Sequence, residues 1–517
     1  MSATEQTTFR LDYTPIPRHA GLLKAATVLA TLMQVLDMTI TNVALPHMQA
    51  ALGASQDSIS WVLTSYIIAS AIAIPITGWL SNRIGRRRLY LWSVGGFIIT
   101  SVLCGLAANI EQMVLFRLLQ GITGAFLTPL AQTVLLDSTP PEKRGQAMAM
   151  FGMGVVLGPV MGPILGGVLT ESMNWRWVFF VNIPIGALAF AGLWFLLPDV
   201  KRPARSLDLT GFALLAISLA SFQLMLDRGE HADWFNSAEI WLEFLVSASS
   251  FWMFCVHIIT TKNPLYSRTM LGNRNLLVGT VLMAALGMIM TAAMALLPIM
   301  LQGLFGYSVL DAGLLLATRG VGVLVMMGLT GRLAAKIDPR FLIFFGFAIV
   351  SFSFYEMTQW NLDVDWTTMS INGFIQGLGL GMLFVPITTM AFSTLSAHDR
   401  TDASGLLNLS RSIGASVGIS LVVTMLARNT ATSHADLITH LTPYRLWLDP
   451  YMLALSGDGV KTGLAMLNAE VMRQASMIGF LDDFYFMMWL ALCAIPLALL
   501  VKRSPRTEDE PIVEIME

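Results

Sequence analysis

The chain has 517 residues, 55% of them hydrophobic and 12% charged, and its mean hydropathy of +0.66 excludes a water-soluble globular protein. The composition defines an all-α polytopic membrane protein. A formal net charge of -2 leaves no nucleic-acid footprint, and the three cysteines, Cys104, Cys255 and Cys493, lie in apolar segments and imply no disulfide framework.

Residues 1–24 form a polar tail carrying Arg10 and Arg18. The first apolar run is a full spanner rather than the short core of a leader peptide, so no cleaved signal is expected. Runs of spanning length follow at 25–45, 60–80, 89–108, 114–135, 146–169, 177–197, 209–226, 240–259, 275–297, 311–330, 340–358, 369–391, 405–427 and 483–501, fourteen in all. Residues 502–517 form a second tail. If the N-terminus is cytoplasmic, the inner loops and tails collect 22 basic residues, the outer loops six, and the spanners three. By the positive-inside rule both termini are expected to be cytoplasmic.

A charge at a helix centre costs about 2.5–3.5 kcal/mol on insertion scales, so each one asks for a reason. In spanner 1, Asp37 lies about 19 Å of helical rise beyond Lys24, and Arg117 enters spanner 4 from the other side to a similar depth. An Asp37–Arg117 pair would lower the cost of both and supply a proton switch; the competing reading is a static ion pair. In spanner 5, Gly154, Gly158, Gly162 and Gly166 recur every fourth residue, with Pro159 and Pro163 among them. The glycines fall near one face, where a neighbouring helix can approach almost backbone to backbone. Two prolines are tolerated in a membrane helix where neighbours re-satisfy the freed carbonyls.

On spanner 9, Met283, Met290 and Met294 share a face, and flexible thioethers suit either a site for varied apolar ligands or ordinary core filling. Arg319 in spanner 10 and Arg411 in spanner 13 read as substrate contacts or as cations that snorkel or cap a carbonyl. Glu356, near the end of spanner 11, reads as interfacial. The outer segment 428–482 is too long for a turn. Its stretch 460–480, with Leu464, Leu467, Val471 and Ile478 at roughly helical spacing, predicts an amphipathic helix lying on the membrane or docking a partner.

The chain also repeats weakly against itself. GWLSNRIG at 78–85 matches GRLAAKID at 331–338 at an offset of 253, and Leu45-Pro46 matches Leu297-Pro298 at 252. Gln120-Gly121 matches Gln376-Gly377, Arg144 matches Arg400, and Gly158 and Gly162 match Gly414 and Gly418, all at 256. The repeat pairs spanners 1–6 with 9–14. It divides the chain into a first half (25–200), two inserted helices (201–262) and a second half (263–501), the plan of transporters whose site lies between rocking halves.

Several motifs give the chain a family resemblance over nearly its whole length. LDMTITNVALP at 36–46, RLLQGITGA at 117–125, the glycine-proline helix of spanner 5 and WRWVFFVNIPIG at 175–186 resemble the signatures of the fourteen-spanner drug:proton antiporters of the major facilitator superfamily. MQVLDMTITNVALPHM, LMLDRG at 224–229 and the long outer segment resemble EmrB-type pumps of bacterial inner membranes. The resemblance implies a major facilitator fold, proton coupling through Asp37 and Arg117, and an antiporter motif on Gly154, Gly158, Pro159, Gly162, Pro163 and Gly166. It also implies a gating loop on Gly78, Asn82, Arg83, Gly85 and Arg86. That loop normally carries an acid where Asn82 stands, so a charge relay there would lack its carboxylate.

The expected function is proton-driven export of amphipathic or lipophilic compounds by alternating access. The expected cavity is lined by Met33, Gln34, Thr41, Gln120, Met283, Met290, Met294, Arg319 and Gln376. The resemblance implies a periplasmic adaptor and a TolC-like outer-membrane channel as partners, beside substrates, protons and lipids. No cofactor, metal or nucleotide is expected, since the chain has no GxxxxGK[ST] loop and no catalytic cluster. The alternative is a proton-coupled transporter of one metabolite, siderophore or lipid-like compound on the same fold.

Overall fold

The structure is a computed structural model and describes residues 19–199, 206–334, 336–396, 399–440 and 460–501. Most of both tails, Lys201, Arg202, Arg205 and the centre of the 428–482 segment lie outside the described residues. Among those described, fourteen helices are long and apolar enough to span a membrane. The first six are α1 (Ala20–Leu52), α2 (Ser58–Ile84), α3 (Arg86–Leu106), α4 (Ile110–Asp137), α5 (Arg144–Ser172) and α6 (Trp177–Leu196). Then come α7 (Leu209–Arg228) and α8 (Ala238–Thr260). The last six are α9 (Arg274–Gly303), α10 (Leu310–Leu333), α11 (Pro339–Met357), α12 (Trp366–Phe392), α13 (Arg400–His440) and α14 (Ala465–Leu499).

Helices are the form the composition demands, because in lipid each backbone polar group must find its partner within the segment. Buried hydroxyls join in: Thr27, Thr133 and Thr388 each donate to the carbonyl four residues earlier. Breaks occur where backbone chemistry requires them. Pro75 sits in a single 3₁₀ turn within α2, and Gly85, with φ of 94°, separates α2 from α3 in a conformation that favours glycine.

In the first half α1 packs on α5 and α6, and α2 packs on α4. In the second α9 packs on α13, α10 on α12, and α11 on α12 and α14. The repeated glycines occupy equivalent seams. Gly158 and Gly162 of α5 lie against Val35 and Thr39 of α1, while Gly414 and Gly418 of α13 lie against Ala284 and Met288 of α9. Thr39 Oγ1 donates to the Gly158 carbonyl at 3.1 Å, in the stretch where Pro159 and Pro163 interrupt the helical ladder. The halves meet where α5 faces α10 and α12, and where α4 faces α13.

The helices α7 and α8 pack on each other, and α7 also reaches α2 and α13. Asp227 of α7 accepts a hydrogen bond from Thr64 of α2. Asp208 caps α7, accepting from Gly211 N–H at 2.9 Å and Leu265 N–H at 3.0 Å, with His257 Nε2 2.8 Å away. Burial alone would raise this carboxyl's pKa, but the Gly211, His257 and Leu265 donors outweigh it and hold the group below its usual range.

One sequence expectation changes. The stretch 460–480 is not a separate surface helix but the beginning of a continuous helix, Val460–Leu499. Its partner α13 runs for 41 residues, about 60 Å of rise against a hydrocarbon core of about 30 Å. The two extensions cover each other. Gly479 lies against Leu426 and Thr430, and His434 Nε2 is 3.0 Å from Asn468 Oδ1. Val471 and Ala475 are buried and Ile478 is exposed, so the covered face differs from the expected one because a helix, rather than lipid, shields it.

Candidate functional site

The charged pair of the first half lies at the centre of a polar network that excludes water. Asp37 of α1 and Arg117 of α4 are both wholly buried, and Arg117 Nη1 donates to Asp37 Oδ2 at 2.6 Å. Asp37 Oδ1 accepts from Gln120 Nε2 at 3.0 Å and from Asn182 Nδ2 of α6 at 2.6 Å. Arg117 also donates to Gln120 Oε1 at 2.8 Å and to the Val62 carbonyl of α2 at 3.1 Å. Its guanidinium lies over the Tyr66 ring, 4.5 Å from the centroid, and Phe179 closes another side at 5.8 Å. Three helices thus meet at one carboxylate, and α2 joins the network through Arg117.

A second constellation lies at the end of the bundle rich in arginine and lysine, here the basic end; the α13–α14 extensions mark the hairpin end. Asp137, the last residue of α4, accepts from Arg86 Nη1 at 2.5 Å and from Arg400 Nη1 of α13 at 3.0 Å, bridging the halves. Deeper in the same seam, Gln132 of α4 accepts from Asn408 Nδ2 at 2.8 Å and from Ser404 Oγ at 2.5 Å. On the other seam Gly145 of α5 and Gly331 of α10 meet almost backbone to backbone. The Asp402 carboxylate of α13 fills the space where Gly78 has no side chain. The acid absent at Asn82 has counterparts from elsewhere in the chain. Asp137 engages Arg86, Asp402 shares a small cavity with Asn82, and Arg83 points to solvent.

The main cavity lies between α5, α9, α10 and α12, on the hairpin side of these seams. It is lined by Pro159, Pro163, Met290, Met294, Pro298 and Arg319, among others, and holds about 670 Å³ of atom-free space, part of it open to solvent. A smaller one behind it contains Arg319 again, with Asn372 and Gln376. A third, between α1, α2 and α4 of the first half and α13 of the second, brings together Gln34, Tyr66 and Arg411, with Gln34 Oε1 accepting from Thr128 at 2.7 Å.

Met290, Met294, Arg319, Gln376 and Gln34 line cavities, whereas Met33 and Met283 are wholly buried core residues. Helical spacing puts Met283 on the face of Met290 but further toward the basic end, where the bundle is closed. Gln120 belongs to the Asp37 network, and Thr41 Oγ1 donates to the Asp37 carbonyl at 2.6 Å. In α5 the glycines face α1 while Pro159 and Pro163 face the cavity. Sequence reasoning missed Asn182, Tyr66, Gln132 and Asp137. Asn182 could have been found by asking of a buried amide in spanner 6 what was asked of the charges.

A helical bundle of two halves shut against each other at one end, with a cavity between them and a buried ion-pair network beside it, has the architecture of a membrane transporter. The chain belongs to the Major Facilitator Superfamily, whose family model matches residues 27–419. It is 35% identical to the multidrug export protein EmrB of Haemophilus influenzae over 91% of this chain and 92% of that one. It is also 35% identical to the fatty acid resistance protein FarB of Neisseria gonorrhoeae, over 95% and 98%. Against Escherichia coli (strain K12) EmrB the identity is 36%, over 82% and 83%. The solved proton:xylose symporter XylE shares the fold at a TM-score of 0.62 and 13% identity, covering 92% of this chain and 94% of that one. The human organic anion transporter MFSD10 does so at 0.57 and 14%, covering 91% and 99%.

Proposed function

We propose that this chain exports amphipathic compounds in exchange for protons, with Asp37 as the proton carrier and Arg117 as the group that senses its charge. One observation carries the reading: the Asp37 carboxylate is wholly buried and holds Arg117 at 2.6 Å, with Tyr66 lying between this network and a cavity. Protonation from the hairpin side would release Arg117 and favour the loaded cavity opening outward. Deprotonation toward the basic end would reset it. The basic end is read as cytoplasmic, in accord with the positive-inside bias, and the membrane as a bacterial inner membrane. The driving force is the proton gradient with the membrane potential, roughly 2.3 kcal/mol per charge per 100 mV.

The relatives' names, multidrug export and fatty acid resistance, support export over uptake and a broad apolar substrate range. The paired extensions of α13 and α14 offer a periplasmic adaptor a rigid surface beyond the membrane, from which a TolC-like channel would continue the path. The test is efflux from energised inverted vesicles. Asp37→Asn is expected to reach the membrane in normal amount and to lose proton-dependent efflux altogether. Undiminished efflux by that variant would refute the coupling role.

A further inference from the structure

Arg319 differs from Arg86 and Arg117, the other buried cations among the described residues, in what it lacks. It is 7% exposed, so it does not snorkel, and among the described residues it makes no ion pair. Nη2 reaches the Met290 carbonyl at a long 3.3 Å, and Nη1 is buried with no partner at all. The acid on neighbouring α11, Glu356, is engaged by Asn372 Nδ2 at 2.8 Å, and Asp37 is engaged by Arg117. A guanidinium left in this state is costly, and its cost is removed by an anion that enters with its own apolar body.

The internal repeat sharpens the contrast. At the offset of 253 that aligns the ends of α2 and α10, Tyr66 falls on Arg319, and at 256 Arg117 falls on Gly373. Each half thus places one arginine at the contact between its second and fourth helices, from opposite sides. At 252, however, Asp37 falls on Ile289, so the second half carries no acid at the position equivalent to Asp37. The backbone of α10 beside Arg319 is fixed by close approach of α12. Gly377 lies directly against the Arg319 carbonyl, with no room for a side chain between them. The guanidinium therefore stands at the wall shared by the main cavity and the smaller one behind it.

We infer that Arg319 is the anion-binding group of the cavity and that it takes the carboxylate of an amphipathic organic acid, whose apolar body lies against Met290, Met294 and the α5 prolines. This deepens the proposed function and rests on reading the cavity as the transport site. Arg319 lies about 13 Å of helical rise from the start of α10 and about 21 Å from its end, too deep for a lipid headgroup at either surface.

The test is equilibrium dialysis of the full-length protein in nanodiscs, without a proton gradient, against 2-naphthoate and its neutral isostere 2-naphthamide. The wild type is expected to bind the carboxylate ten-fold or more tighter than the amide, Arg319→Lys to retain most of that ratio, and Arg319→Gln to bring it within about two-fold of unity. Arg411→Gln is expected to keep the wild-type ratio. A wild-type ratio near one overturns the inference, as does a ratio that survives Arg319→Gln or that falls in Arg411→Gln instead. Because no gradient is present, loss of efflux coupling in Asp37→Asn vesicles is read separately from this result.

Discussion

At the scale of single residues, the chain keeps three arginines inside the bundle by different means. Arg117 has a carboxylate, a carbonyl, an amide and an aromatic face, so its desolvation is met by several partners at once. Breaking a buried pair by removing one partner typically costs 3–5 kcal/mol, largely because the other charge stays behind. Asp37→Asn and Arg117→Gln are therefore each expected to lower the apparent Tm of the purified protein, and the double variant to recover part of the summed loss. Additive losses in the thermal unfolding of the four proteins would show that the two groups do not act as a pair. Arg319 and Arg411, by contrast, have no carboxylate partner among the described residues, and each lines a cavity.

At the scale of elements, α5 separates two jobs that its sequence interleaves. Gly162 lets α1 approach, and a branched side chain there would push into Thr39 at an overpacking cost of about 1–3 kcal/mol. Pro159 faces the cavity, so its replacement disturbs no seam and restores a backbone donor. Gly162→Val is expected to lose monodisperse protein in size-exclusion chromatography. Pro159→Ala is expected to keep it while slowing vesicle efflux several-fold; equal behaviour of the two variants would remove the division. This split also marks what the sequence could reveal. The four-residue spacing predicts a close-packing face, and the repeat ties Gly158 and Gly162 to Gly414 and Gly418, because both signals are periodic along the chain. Which helix fills the face is not periodic, so the sequence left α1 unnamed. The same limit applies to Met283, where spacing gives the face but not the depth at which the cavity ends. Asp37 and Arg117 were legible because a charge in an apolar run stands out. The extent of α13 and α14 was not, since polar helix beyond the membrane has no hydropathy signature and is stabilised only by its partner.

At the scale of the whole molecule, this conformation is held by contacts between the halves at the basic end. Asp137 is one of them: one buried carboxylate pairs with Arg86 from the α2–α3 corner and with Arg400 from the start of α13. Arg86 belongs to the same half as Asp137 and Arg400 to the other, so the Arg400 contact forms only when the two halves come together there. Its partners belong to different halves of the sequence, which hid it. Neutralising the acid would leave two guanidiniums facing each other across the seam, with only the Gln132–Ser404–Asn408 hydrogen bonds and the Gly145–Gly331 contact to oppose opening. A loss of ~1.4 kcal/mol would raise the open population about ten-fold. Ser404→Cys provides the reporter, since position 404 is wholly buried in the closed seam. In inverted vesicles, Asp137→Asn is expected to speed labelling of this cysteine by a membrane-impermeant maleimide by about that factor, whereas Asn82→Asp should not. Equal labelling rates with and without Asp137 would mean that the seam is held by its helix packing and that the charge bridge forms only as a consequence of closure.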